Sequence, residues 1–108
     1  MDLKHLFIED CLRNLNKIES IKKESEEHLI LADDNKQVFW GILGACLCIN
    51  WIKKFEFTDN RKRIDNLGVD FNLLFETALK NEFNIDLPIV QDFLNKIDVL
   101  KNFIAKLN

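Results

Sequence analysis

The chain reads as an all-α protein: a compact bundle of four helices, five if Gly68 divides the third, built around one central apolar helix. Three observations point there. Only three Gly and one Pro occur in 108 residues, which leaves little room for tight turns. Apolar residues recur at three- and four-residue steps along most of the chain, the period of a helix with one buried face. No stretch alternates with the two-residue period of a strand. The length reads as a single helical domain over residues 1–108, and a domain of this size buries roughly 60–65% of the surface its unfolded form exposes, enough for a core without staples.

The first helix is marked by Leu3, Phe7, Cys11, Leu15, Ile18 and Ile21, a stripe free of Gly and Pro that reaches Leu29 after the polar Ser25. Its last turns, KKESEEH, lose the apolar face. Asp33 and Asp34 then offer an N-cap, with Gln37 three residues after Asp34 as in a capping box, and the second helix runs to about Phe55. Within it the run VFWGILGACLCINWI, Val38 to Ile52, holds 12 apolar residues out of 15 and no charge, in a chain that is 31% charged. A membrane span needs roughly 20 apolar residues. This run is shorter, includes Asn50, and is bracketed by Lys36 and by Lys53 and Lys54, so no membrane contact is expected. Its expected place is the centre of the bundle, facing neighbours over most of its circumference, with Gly41, Gly44 and Ala45 letting one of them approach closely.

Thr58, Asp59 and Asn60 read as a turn. A third helix carries Ile64, Leu67, Phe71, Leu74, Phe75, Ala78 and Leu79, with Gly68 and Asp70 marking a break before a main segment from about Val69, and Asn84 ending it. Asp86 with Pro88 opens the fourth, because a first-turn Pro gives up an N–H that has no partner there. Val90, Phe93, Leu94, Ile97, Leu100, Ile104 and Leu107 form its buried stripe.

The residues that carry chemistry are few. Cys11, Cys46 and Cys48 are an odd number, and two of them sit inside the apolar run rather than in loops, so they read as reduced packing residues of a cytoplasmic protein. Cys46 and Cys48 point about 200° apart around a helix and cannot share a tetrahedral metal. His28 lies four residues after Glu24 with Glu27 and Asp33 nearby, but an inward Glu-x-x-His pair is absent and a solvated face is the better reading. His5 and Glu9 read as an exposed pair at one helical turn. With no phosphate loop, nucleophile elbow or clustered acid–base pair, neither an enzyme nor a bound metal or cofactor is expected. The N-terminus MDLKHLFIEDCL has none of the parts of a secretory signal.

What remains is binding. Eighteen acidic against fifteen basic residues give a net charge of −3, which disfavours a nucleic-acid coat and suits a basic protein partner. Glu19, Glu24, Glu26, Glu27, Asp33 and Asp34 gather around the end of the first helix and form the first candidate surface, where carboxylates would pair with basic groups of the partner. Opposite in sign, Lys53, Lys54, Arg61, Lys62 and Arg63 place five positive charges within 11 residues and are the alternative, a phosphate-binding group, although Lys53 and Lys54 already suit a helix C-terminus.

Two resemblances bear on these surfaces. The segment Arg61 to Ala78, RKRIDNLGVDFNLLFETA, resembles the part of HEPN domains in which a Gly-His-Asp-Leu type turn precedes a Leu-rich helix. Val69 stands where that turn has His, and none of Arg13, Arg61 or Arg63 is followed at the required distance by His, so the resemblance implies a non-catalytic nucleotide- or RNA-binding module. By type rather than by motif, the chain is similar to the small acidic all-α immunity proteins and antitoxins of bacteria. That likeness implies a non-enzymatic inhibitor that covers the active site of a cognate toxin nuclease.

Overall fold

In the computed structural model, residues 2–27, 32–56, 59–80 and 84–107 are described, the side chains of 25–27 and 32–35 excepted. Six helices follow one another among them: α1 (Leu3–Glu27), α2 (Ala32–Phe55), α3 (Asp59–Asp65), α4 (Phe71–Lys80), α5 (Pro88–Asn95) and α6 (Ile97–Ala105). The protein is an all-α bundle, and no strand occurs among the described residues.

The two long helices form an antiparallel pair that runs the length of the molecule. Its long axis is 42 Å against 24 and 21 Å across, and a helix the length of α1 spans about 37 Å at 1.5 Å per residue. The pair closes tightly because α2 presents glycines to α1. A Cβ at Gly41 would lie 2.6 Å from Ile18 Cγ1, and one at Gly44 would lie 2.8 Å from Asn14 Nδ2. The expected close approach therefore falls on α1, along Asn14 and Ile18.

On the α1 side, Ile8, Cys11, Leu15 and Ile18 are buried, while Leu3, expected in the stripe, is exposed and Phe7 is only half-buried. The apolar face is thus displaced by a residue at the N-terminal end, where Ile8 rather than Leu3 reaches the core. α2 contributes Val38, Phe39, Ile42, Ala45, Cys46, Ile49 and Ile52 to the same core. It begins at Ala32, so Asp33 and Asp34 stand within its first turn rather than ahead of it.

The expected break at Gly68 is present. Gly68 takes φ of +78°, a left-handed conformation that glycine adopts without a Cβ clash. Two residues on, Asp70 Oδ1 accepts the Leu73 backbone N–H at 3.0 Å and caps α4. Pro88 occupies the first turn of α5, and the cap position is Leu87, without a side-chain cap bond, rather than Asp86. Asp86 instead donates its N–H to Asn84 Oδ1 at 3.0 Å, in a turn that precedes the helix.

The single fourth helix of the sequence reading is two. Lys96, with φ −100° and ψ 3°, separates α5 from α6 although neither Gly nor Pro is there. The bend puts Lys96 Nζ 3.2 Å from the Gly68 carbonyl and 3.0 Å from Asp92 Oδ2, which ties this corner to the turn before α4. All seven residues assigned to the stripe, from Val90 to Leu107, are buried.

Two polar ties fix the periphery. Lys101 Nζ donates to Glu19 Oε1 at 3.1 Å, joining α6 to α1. Glu56, a buried carboxylate just past α2, is held by the Lys4 ammonium and by Asn60 Nδ2 at 3.1 Å, so one side chain joins the start of α1 to α3.

Candidate functional site

A helix apolar on all sides can turn only part of its surface inward. α1 covers one flank of α2 and α4 packs on another, and the third faces solvent. Trp40, Leu47 and Trp51 lie on it at 69%, 49% and 46% exposure. Spacings of seven and four residues hold these side chains within about 40° of one another around the helix, in a line roughly 16 Å long. The expectation that α2 meets neighbours over most of its circumference is corrected here: its core face does so, and this face does not.

Together the three side chains offer on the order of 400 Å² of apolar surface, the size of patch that in monomeric proteins often has a function. The Trp51 end is the better fixed. Its indole stacks on Phe7 with ring centroids 5.5 Å apart and planes at 4°, Phe7 in turn lies 6.2 Å from Phe55, and the Lys54 ammonium sits 4.3 Å from the indole centroid. Trp40, the most exposed of the large apolar residues, has no such contact among the described residues. Lys36 and Lys54 share its side of the helix and stand toward either end of the line. By length and composition Lys36–Phe55 also qualifies as a bilayer-crossing helix, and 44% of its most apolar window is buried within the fold.

The residues singled out from sequence do not converge on one site. Of the acidic set, Glu19 is engaged with Lys101, and Glu24 is exposed on α1. Hydrogen bonds from the Asp98 carboxyl and then from Lys101 hold the Glu19 carboxyl below its ordinary value of 4.5. The side chains of Glu26, Glu27, Asp33 and Asp34 lie outside the described residues. Of the basic set, Lys53 is paired with Asp65 and Lys54 lies over Trp51, while Arg61, Lys62 and Arg63 are exposed on α3. His5 and Glu9 form the expected exposed pair at 2.9 Å. His28 lies outside the described residues, among which no group of three His, Cys, Asp or Glu could hold a metal ion.

All three cysteines are buried and unpaired. Burial pushes the Cys46 thiol up from 9.0 to about 12, pushes Cys11 higher still, and raises Cys48. A thiol that stays protonated is neither a nucleophile nor a metal ligand, which agrees with their reading as packing residues.

Sequence reasoning missed the Trp40, Leu47 and Trp51 line. Its spacing was visible, but an all-apolar helix does not reveal which third of its surface stays uncovered.

No family model and no solved structure matches the chain. Among curated proteins it is similar to the homocitrate synthase omega subunit of Clostridium pasteurianum, 34% identical over 94 residues, which are 86% of this chain and 26% of that protein. The chain therefore spans about a quarter of the length of that relative.

Proposed function

We propose that the chain is a non-enzymatic protein-binding module that docks through the exposed face of α2. The observation that carries this reading is the alignment of Trp40, Leu47 and Trp51 at 69%, 49% and 46% exposure on a helix otherwise committed to the core. Exposed tryptophans anchor protein interfaces because they bury much area at little cost in conformational freedom. The occupant is an apolar cleft of a protein partner. A similar stretch forms about a quarter of a chain described as an enzyme subunit in Clostridium pasteurianum, which supports a role in contact with other protein.

The narrower form of this reading is an immunity-type inhibitor whose partner is a toxin nuclease and whose bound surface covers the active site. The exposed Glu24 carboxylate and the net charge of −3 support it. Gly41 faces Ile18 in the hairpin, so Trp40 is the end of the line nearest the final turns of α1. Of the basic group behind the non-catalytic HEPN-like alternative, Lys53 and Lys54 are turned to intramolecular partners, while Arg61, Lys62 and Arg63 stay exposed.

The test is co-purification with the product of the adjacent gene, followed by titration of the pair. Replacing Trp40 and Leu47 by Ser removes two exposed side chains and is expected to weaken binding at least tenfold, about 1.4 kcal/mol, with the helical content retained. Unchanged affinity in that variant overturns the reading. Charge reversal at Glu24 reads the narrower form: weaker binding with a shallower salt dependence supports it, and no effect removes it.

A further inference from the structure

A second surface, remote from the α2 face in sequence and unused by the reading above, has the character of a ligand site. Between α3 and the end of α6 lies an open hollow of about 420 Å³ lined by Asn60, Arg63, Asn66, Leu67, Phe103 and Lys106, with Leu107 beside them. From the size and lining of this hollow, we propose that it binds a small phosphate monoester whose apolar or planar body rests on Phe103 and Leu67.

Two features set the chemistry. The first is charge. Arg63 and Lys106 both line the hollow and neither has an ion-pair partner among the described residues. No carboxylate lines it among the described residues. Two cations lining one hollow give it a local positive potential that favours an anion. A phosphate monoester carries close to two negative charges near neutral pH and matches both, while a carboxylate matches one. The second is the division of the lining. Asn66 adds an amide donor beside the cations, Asn60 Nδ2 being engaged with Glu56, and Leu67, Phe103 and Leu107 make an apolar floor. A polar rim with an apolar floor suits a ligand with a charged head and an uncharged body, and the volume is in the range of small-molecule pockets. A guanidinium can engage phosphate through two parallel hydrogen bonds, which gives Arg63 the larger share of recognition.

Of the five basic residues that the sequence gathers between Lys53 and Arg63, only Arg63 enters this hollow; its counterpart, Lys106, comes from the other end of the chain. Arg61 is exposed on the same helix and outside the lining, which makes it the internal control.

The test is an amide-resolved NMR titration of the full chain with AMP, adenosine and inorganic phosphate, each at up to millimolar concentration. AMP is expected to saturate with shifts centred on Asn60, Arg63, Asn66, Leu67, Phe103 and Lys106, and to bind at least tenfold more tightly than either fragment. Arg63→Gln and Lys106→Gln are each expected to weaken AMP at least fivefold, and Arg61→Gln to leave it unchanged. Both lining cations are exposed, so the variants keep the fold, which the amide spectra verify directly. Absence of saturable shifts in the hollow, AMP no tighter than inorganic phosphate, or equal losses in the Arg61 and Arg63 variants overturns the proposal. Partner binding through α2 is read separately, so either can fail alone.

Discussion

Phe7 and Trp51 lie ring to ring, centroids 5.5 Å apart and planes at 4°, and clasp the N-terminal end of α1 to the C-terminal end of α2. The contact fixes one end of the exposed α2 face while leaving the Trp40 end without a neighbour of that kind. Phe7→Ala is expected to cost about 2 kcal/mol, less than a fully buried Phe because Phe7 is half-exposed. Trp40→Ser should leave stability within about 0.5 kcal/mol of the parent. Urea unfolding of the two variants checks the contrast.

The two glycines that face α1 should respond differently to a methyl group. At Gly41 the new Cβ meets Ile18, which is fully buried and cannot withdraw, so Gly41→Ala is expected to destabilise by about 1–2 kcal/mol even after the gain in helix propensity. At Gly44 the obstacle is the end of the Asn14 side chain, which can swing away, so Gly44→Ala should be neutral or stabilising by up to about 1 kcal/mol. Thermal unfolding of both variants decides.

Glu56 is the one buried charged residue among those described, and Lys4 neutralises it. Lys4→Ala leaves that carboxylate with Asn60 alone and is expected to cost about 2 kcal/mol, below the loss for a fully buried pair because Lys4 is partly exposed. Replacing Glu56 by Gln together with Lys4 by Met should recover most of the loss. A double-mutant cycle by chemical denaturation measures this coupling.

Acid should loosen the α1 to α6 contact. Glu19 titrates below 4.5 in the fold, so its contribution is complete above the unfolded value and is lost as the pH falls through the folded one. Glu19→Gln is expected to lower stability at neutral pH by about 0.5 kcal/mol and to flatten the dependence in that acid window. Denaturation midpoints between about pH 3 and pH 7 give the comparison.

At the alkaline end the cysteines act. Cys46 ionises at about 12 in the fold against 9.0 ordinarily, so the unfolded chain ionises first and stability declines as the pH rises between those values. Cys46→Ala should remove part of that decline. At pH 8 or so, iodoacetamide is expected to modify the three thiols only as fast as the protein opens, because the thiolate is the nucleophile. Labelling at or below the unfolding rate supports this, and rapid labelling of the native protein refutes the burial of these groups.

How much could be read in advance differs between the two halves of the molecule. The α5 to α6 stripe was legible in full, since its apolar residues are separated by polar ones and each face has one meaning. The break at Lys96 was not, because no residue there resists helix. In α1 the periodicity located the helix but favoured Leu3 over Ile8, a choice that only the direction of α2 resolves. The acidic and basic groups, close in sequence, were poor guides to sites: Lys53 and Lys54 turned to Asp65 and Trp51.

The sequence by itself determined that the chain is helical, where its helices are interrupted at Gly68 and before Pro88, and that its cysteines pack in apolar surroundings. Those are local matters, governed by period, backbone freedom and composition. Tertiary structure alone decided which flank of α2 stays uncovered and that Arg63 meets Lys106 across a hollow. An apolar helix offers the same chemistry in every direction, and residues far apart in the chain share a site only once packing has placed their helices side by side.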